Sequence, residues 1–529
     1  MFSGSNPNII DLSFNAFPKL LCPMSGRSDC HPCDKFIALE TKILDTAEQL
    51  RAMLTQHKEM EANLNYHHSD IVRKMPTEIM SYIFQWCIAD VSANGLDSAS
   101  RKDVFMPFTL GSVCRSWRQI VWSSPYLWTH VSIKPISNPN TVDLVELVSE
   151  WLSRSKALPI LVHVYASTDN DRVQTLHWKS TLEVLAQSSE RWCEFHSHLP
   201  VSSLQYLCGQ MGGTPLMQTL DFTRWADDNY FGTPVDVKLW KNHIPKPSKV
   251  YLDNEFYFEA VNINWSAATD VEVYFPIGDC LKVLKDAPLL DACDFTVLTR
   301  PWQSTLTWMH INHQNLKDLS VHTRRFCPEL FSSITLPRLA MFQYQIRGVH
   351  RDPNQPNDLS LLPFFERSAF PLTHLSIQGT AFTYDYMRAL LRAAPSITHL
   401  SLKQIFPLYA LLQPDELEQV MPAALLIELS ETSGVQPTTL DSSSSIILPY
   451  LQSLQFNVDF PFPWNRVPDV FGPPSDFNNP RRRPLYSFEV SIDYLPSRID
   501  QDTTSRLRAL REVGAQIRFK GFNGDPLVV

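Results

Sequence analysis

Glycine is scarce in this chain, 16 residues against 39 prolines in 529. That balance disfavours glycine-rich phosphate loops and supplies many short, stiffened turns. No Gly-x-Ser-x-Gly elbow, Gly-Lys-Ser/Thr loop, dinucleotide fingerprint or His-Glu-x-x-His occurs, so no common catalytic or cofactor motif has an address here. The expectation is a non-enzymatic protein without a cofactor. A positive balance is lacking too: 46 Lys and Arg stand against 55 Asp and Glu, a net charge of −9, which argues against nucleic acid as partner. No uncharged apolar run approaches twenty residues, and no basic segment precedes an apolar core at the start. These absences point to a soluble protein of the cytoplasm or nucleus, or both, with no membrane association.

The ten cysteines are mostly single within apolar runs, as at Cys87, Cys114, Cys208, Cys280 and Cys293, and read as small core residues without disulfides. Cys22, Cys30, His31 and Cys33 contain only one closely spaced pair, short of a structural zinc site, so no metal is expected. His67 and His68 are adjacent and point in different directions on a helix. Arg481 to Arg483 read as an exposed loop ahead of a nuclear-import signal, and Ser442 to Ser445 as a linker.

Hydrophobic residues make up 44% of the chain, ample for a large core. From Phe36 a seven-residue apolar period runs through Ile43, Leu50, Leu64 and Ile71, with Leu39, Met53 and Met60 three residues later. Thr46, His57 and His67 interrupt it. Without proline or glycine, the span predicts a helix of about ten turns. It reads either as a coiled-coil dimerisation arm or as a single helix folded back on its own chain, and the polar seam positions favour the second.

Next comes Met75-Pro76-Thr77-Glu78-Ile79-Met80-Ser81-Tyr82-Ile83-Phe84-Gln85-Trp86-Cys87, a helix with proline near its start and an acidic first turn. Ile79, Ile83 and Trp86 share one face. After a polar stretch around Ser92 to Asp103, residues Leu110, Val113, Cys114, Trp117 and Val121 keep helical spacing, and Ser123-Ser124-Pro125-Tyr126-Leu127-Trp128 closes the region. This stretch resembles the F-box family, which begins with a Leu-Pro-x-Glu-Ile helix and continues through Val-Cys-Arg-x-Trp to Pro-x-Leu-Trp. Its long spacer and Ser-Ser-Pro-x-Leu-Trp ending look like the large F-box families of basidiomycete fungi. Met75 stands where leucine is usual, a nearly volume-conserving change. The resemblance implies docking on the Skp-type adaptor of a cullin-based ubiquitin ligase, with Met75, Pro76, Ile79, Ile83, Val113, Cys114 and Trp117 near the contact and Trp128 internal. The alternative is a pair of ordinary amphipathic helices within a larger helical domain.

Beyond residue 128 a template recurs: an apolar residue, two spacers, an apolar residue, one spacer, another apolar residue. Strict matches begin at Met217, Leu316, Leu372, Ile397, Leu451 and Leu485, where roughly one or two are expected by chance. Looser ones begin at Trp128, Pro159, Trp192, Pro247, Ala268, Leu290, Leu339, Ala424 and Gly514. The spacing of about 21 to 34 residues suits leucine-rich repeats, with helix-like stretches such as Asp143 to Lys156, Tyr386 to Ala394 and Ser505 to Val513 between strands. The expected class is α/β: a flexible tail at 1–34, a long amphipathic helix at 35–74, an F-box at 75–133 and a leucine-rich-repeat-like solenoid with a parallel sheet at 134–529.

Strand alternation would turn the polar spacers onto an open, concave face suited to protein recognition. Candidate substrate-binding residues are Asp318, His322, His374, Gln378, His399, Lys403, Gln455 and Asn457. Asp221, Asp253, Asp270, Glu272, Asp294 and Asp318 give the first half of that face a preference for a basic partner. His374 and His399 should stack on adjacent rungs. The expected function is a substrate adaptor that raises local concentration without catalysing transfer, with a protein substrate of unknown identity and the Skp-type adaptor and cullin as partners. A scaffold acting without ligase assembly is the alternative.

Overall fold

The computed structural model describes residues 31–68, 75–93, 106–133, 141–165, 171–199, 201–222, 238–240, 243–253, 256, 258–298, 309–347, 360–379, 383–404, 421–433, 446–458, 462–492 and 499–520. The expected tail at 1–30, the heptad position Ile71, most of the polar stretch after Ser92 and the serines at 442–445 lie outside them, as do Cys22, Cys30 and the side chain of Cys33.

The chain divides into two compact units, residues Met1–Ala99 with Phe105–Ser123, and Ser100–Val104 with Ser124–Val529. The first contains helices α1 (His31–His68), α2 (Thr77–Ala93), α3 (Met106–Val113) and α4 (Arg115–Ser123). α1 covers the expected long helix from residue 35 to 68 and begins earlier, at His31, so 31–34 belong to it rather than to the expected tail; residues 69–74 lie outside the described residues. Its seam residues Phe36, Leu39, Ile43, Met53, Met60 and Leu64 are exposed, so the helix is not folded back upon them. Among the described residues, none is laid along that stripe, which does not support the favoured reading of a helix folded back on its own chain.

The second unit is α/β. A 14-stranded sheet holds β1 (His130–Ile133), β2 (Ile160–Tyr165), β3 (Trp192–His198), β4 (Thr219–Phe222), β5 (Lys249–Leu252), β6 (Asp270–Phe275), β7 (Ala292–Val297), β9 (Asp318–Thr323), β11 (Met341–Ile346), β12 (His374–Gln378), β13 (His399–Gln404), β14 (Ser453–Val458), β15 (Ser487–Ile492) and β16 (Gln516–Lys520). They follow one another in chain order and pair in parallel throughout. The short β8 (Ile311–Asn312) and β10 (Ile334–Thr335) form a separate parallel pair. Every strand of the large sheet coincides with a sequence template.

The register explains the coincidence. Strands β6, β7, β9, β14 and β15 alternate partly exposed and buried residues throughout. Their buried positions pair with one another: Leu319 with Phe342, Phe342 with Leu375, Leu375 with Leu400, Leu400 with Leu454 and Leu454 with Phe488. The leading template residues Leu290, Leu316, Leu339, Leu372, Ile397, Leu451 and Leu485 are buried at the turn before each strand. Hydroxyls in the following position tie turns together: Thr373 Oγ1 donates to the Ala340 carbonyl at 3.0 Å, and Thr398 Oγ1 to that of Thr373 at 3.0 Å. Helices complete the layer, as in Tyr384–Ala393, which is capped by Thr383 and buries Tyr386, Met387, Leu390 and Leu391.

Two expectations about the second unit need correction. The template at Ala424 is no strand but lies in helix Met421–Glu431, whose Leu425, Leu426 and Leu429 are buried. Its apolar run fits a helical period as well as the loose strand template, and helical burial decides. Arg483 is not a solvated loop residue: it is 3% exposed, with Nε donating to the Leu448 carbonyl at 3.0 Å and Nη1 to that of Leu429 at 2.8 Å. Its Nη2 reaches Thr432 Oγ1 at 2.6 Å and the Ile447 carbonyl at 3.0 Å. The planar guanidinium thus satisfies a last-turn carbonyl of that helix and two carbonyls ahead of β14, and burial lowers its pKa to about 10. Arg482 likewise bonds the Phe471 and Leu485 carbonyls, while Arg481 is exposed.

Removing that fork leaves buried carbonyls without donors. Arg483→Ala is expected to cost about 3 kcal/mol or more, and Arg483→Lys, a point charge without the fork, to recover less than half. Urea denaturation followed by tryptophan fluorescence checks this; a variant within about 0.5 kcal/mol of the parent would contradict it.

Candidate protein-docking surfaces

In the helical unit, Pro76 supplies the first carbonyl of α2, accepting from the Met80 amide at 3.2 Å, and Glu78 lies in the first turn. α2 turns Met80 and Phe84 inward; Phe84 packs against Trp117 with ring centroids 4.7 Å apart. The other face is bare: Ile79, Ile83 and Trp86 are 50%, 42% and 65% exposed, and Val113 is 57% exposed. Tyr82 is also exposed and meets Trp86 edge to face at 6.1 Å. Of the remaining candidates, Pro76 and Cys114 are exposed and Met75 and Trp117 partly so.

The continuous second helix expected here is broken. Cys114 separates α3 from α4; its sulfur accepts from the Trp117 amide at 3.4 Å and its carbonyl from the Arg118 amide at 3.0 Å, so it starts α4 as a cap residue. Arg118 Nε then reaches back to the Gly111 carbonyl at 2.9 Å, bracing the two helices. Cys87 and Cys114 are exposed free thiols rather than core residues, whereas Cys208, Cys280 and Cys293 are buried as expected. Among the described residues no group of three or more metal-ligating side chains is placed to hold an ion. No described helix is long and apolar enough to cross a membrane.

The sheet brings all eight sequence candidates onto one face of neighbouring strands. One row runs from Asp318 through Met341 to His374 and His399; another runs His322, Gln345, Gln378, Lys403, Asn457. Between them Ser376, Ser401 and Gln455 pair across β12 to β14. His374 and His399 stack with centroids 4.2 Å apart and planes 8° from parallel. Each takes a 2.9 Å hydrogen bond at Nδ1 with the threonine before it, Thr373 or Thr398. Burial and then the His374 charge lower the His399 pKa. The sequence reading left out Met341, Gln343 and Gln345, which fill the centre of this surface, although the template at Leu339 already implied them.

Toward the first strands the face becomes acidic. Burial, then the carboxylates of Asp294, Asp221 and Asp270, push Glu272 upward, and burial with Asp294, Asp270 and Asp291 does the same for Asp318. Crowded carboxylates resist ionising together, which adds to the effect of burial on both. This acidity is partly answered within the chain: His322 Nε2 lies 3.2 Å from Asp294, a bond that raises the histidine, and Nδ1 lies 2.6 Å from Gln345 Oε1. Asp221 and Asp253 are buried, contrary to their reading as open-face charges, and Asp221 lies 2.9 Å from His196 Nδ1.

An aromatic ladder here escaped the sequence reading. His130, His163 and His196 stack with centroids 4.7 and 4.3 Å apart, and Tyr165 stacks on His198 at 5.0 Å. Its signal was available: His163 and His196 occupy the same offset in successive templates. His196 Nδ1 lies 2.9 Å from Asp221 and Nε2 3.4 Å from Glu194. Burial opposes its charge, but the Asp221 and Glu194 bonds prevail and raise its pKa to about 9. His163 is 5% exposed and neither ring nitrogen has a hydrogen-bond partner among the described residues; burial, then the His196, His130 and His198 charges, lower its pKa to about 2.

Comparison with models of known protein families and with curated proteins finds no match for this chain.

The two histidines impose opposite pH dependences. An unfolded histidine titrates near ~6.5. His196, raised, contributes stability fully below that pH and loses it as pH rises through about 9. His163, lowered, takes a proton only when unfolded, so the native state weakens as pH falls below ~6.5. His163→Phe keeps a ring in the stack and is expected to flatten the stability profile between about pH 6.5 and 5, removing up to about 1.4 kcal/mol per pH unit. Urea midpoints at stepped pH measure it, and an unchanged acid slope would refute it.

Proposed function

We propose that this chain is a substrate-recognition adaptor of a Skp/cullin/F-box ubiquitin ligase, acting by proximity rather than catalysis. The single observation that carries the reading is the bare strip Ile79, Ile83, Trp86 and Val113 beside a small buried core of Met80, Phe84 and Leu110. So small a helical unit cannot bury both faces of α2, and contiguous exposed aromatic and aliphatic groups mark an interaction site. Three of its four residues, Ile79, Ile83 and Val113, are among those that the F-box resemblance assigns to the Skp-type adaptor. On this reading Met75, Pro76, Ile79, Ile83, Val113, Cys114 and Trp117 form the contact.

The sheet-bearing unit then acts as a leucine-rich-repeat-like solenoid, and its polar face holds a protein substrate. What supports this is the recurrence of one template through fourteen sequential parallel strands, with adaptable histidine, glutamine, asparagine and serine side chains in continuous rows. Such a surface recognises by many weak contacts rather than by polarising one bond. Ubiquitin transfer is accelerated because the held substrate's lysines stay at high effective concentration near the conjugating enzyme.

The test is affinity purification of the intact chain beside an Ile79→Asp, Ile83→Asp variant, both changes on exposed positions. The variant is expected to lose at least ten-fold of the Skp-type adaptor and cullin, with proteins bound by the sheet-bearing unit kept. Equal recovery of the adaptor by both chains would overturn the docking assignment; absence of adaptor and cullin from both would overturn the ligase reading.

A further inference from the structure

We propose that α1 pairs with α1 of a second copy of this chain as a parallel two-stranded coiled coil. The helix is 38 residues long, about 57 Å, and carries its apolar seam uncovered. Phe36, Ile43, Leu50 and Leu64 occupy one seam position of successive heptads and Leu39, Met53 and Met60 the other, while Ile37 and Leu44 widen the stripe near its start. A stripe of period 3.5 is matched along its whole length by a helix with the same period, and an identical helix supplies it.

The charges flanking the seam select both the occupant and its direction. Lys35, Lys42, Gln49 and Gln56 line one side, and Glu40, Ala47, Leu54 and Glu61 the other. In a parallel pair each residue of the first side meets the residue five positions on in the second copy. Lys35 therefore faces Glu40 and Gln56 faces Glu61, each twice by symmetry, and no like charges meet. Antiparallel alignment of the same seams would bring Glu40 against Glu61 of the second copy at both ends. The Lys35–Glu40 attraction, made twice by symmetry, therefore favours the parallel homodimer over the antiparallel one. Thr46 and His57 place polar layers inside the seam, which lowers affinity and fixes register.

Sedimentation equilibrium of the full chain tests the inference. The wild type is expected at twice the chain mass at micromolar concentration, and an Ile43→Asp, Leu50→Asp variant at the single mass with the melting of the sheet-bearing unit unchanged. Because two buried-seam carboxylates could unravel α1, a milder set runs alongside. Lys35→Glu should raise the dimer dissociation constant about 3- to 30-fold through its two symmetric contacts, and adding Glu40→Lys should restore it. A monomeric wild type, or a dimer that the seam variant leaves intact, would overturn the pairing. A dimer indifferent to Lys35→Glu would overturn the parallel register.

Discussion

Strand after strand of the large sheet lays buried side chains on those of its neighbours, always in parallel, with one shift of register between β2 and β3 at Ile160/Leu161. Leu319, Phe342, Leu375, Leu400, Leu454 and Phe488 form one such line. Because side chains alternate along a strand, fixing that line also fixes the opposite row: a one-residue slip would bury Ser320, Gln343, Ser376 and Ser401 and expose the line. The polar face, with its histidine stacks and amide rows, is thus a by-product of core register. Burial of apolar area at about 25 cal/mol per Å² supplies the restraint, and threonine hydroxyls at the turns reinforce it.

The helical unit obeys the same accounting with the opposite result. α2 has apolar residues around most of its circumference, yet among its described side chains Met80 and Phe84 alone are buried, with Phe84 against Trp117. What is left over is Ile79, Ile83 and Trp86. Similarly, the regular apolar stripe of α1 is exposed among the described residues. Among the described residues these two surfaces are apolar and exposed in different ways, a short, irregular aromatic strip in one case and a long heptad seam in the other.

Legibility followed the range of the interactions. Strand positions were readable because alternation and a leading leucine are properties of six consecutive residues, as at Leu372 to Ile377. The failures each involve a competing environment. Ala424 matched the template, but its run also fits a helix, and burial against neighbours chose. Cys114 kept helical spacing while its sulfur and carbonyl began a new helix. Arg483 belonged to a basic triplet that looks solvated, yet carbonyls 35 and 54 residues earlier in the chain draw it inside.

By itself the sequence determined which side chains share a strand face and that α1 carries a heptad seam, because these depend on backbone periods of 2 and 3.6 residues. The tertiary structure decided which apolar faces are covered, that His130, His163 and His196 stack as one column, and that His163 is held neutral beside a charged His196. Those outcomes depend on neighbours from distant parts of the chain, whose approach sets desolvation and local charge, quantities that no local pattern encodes.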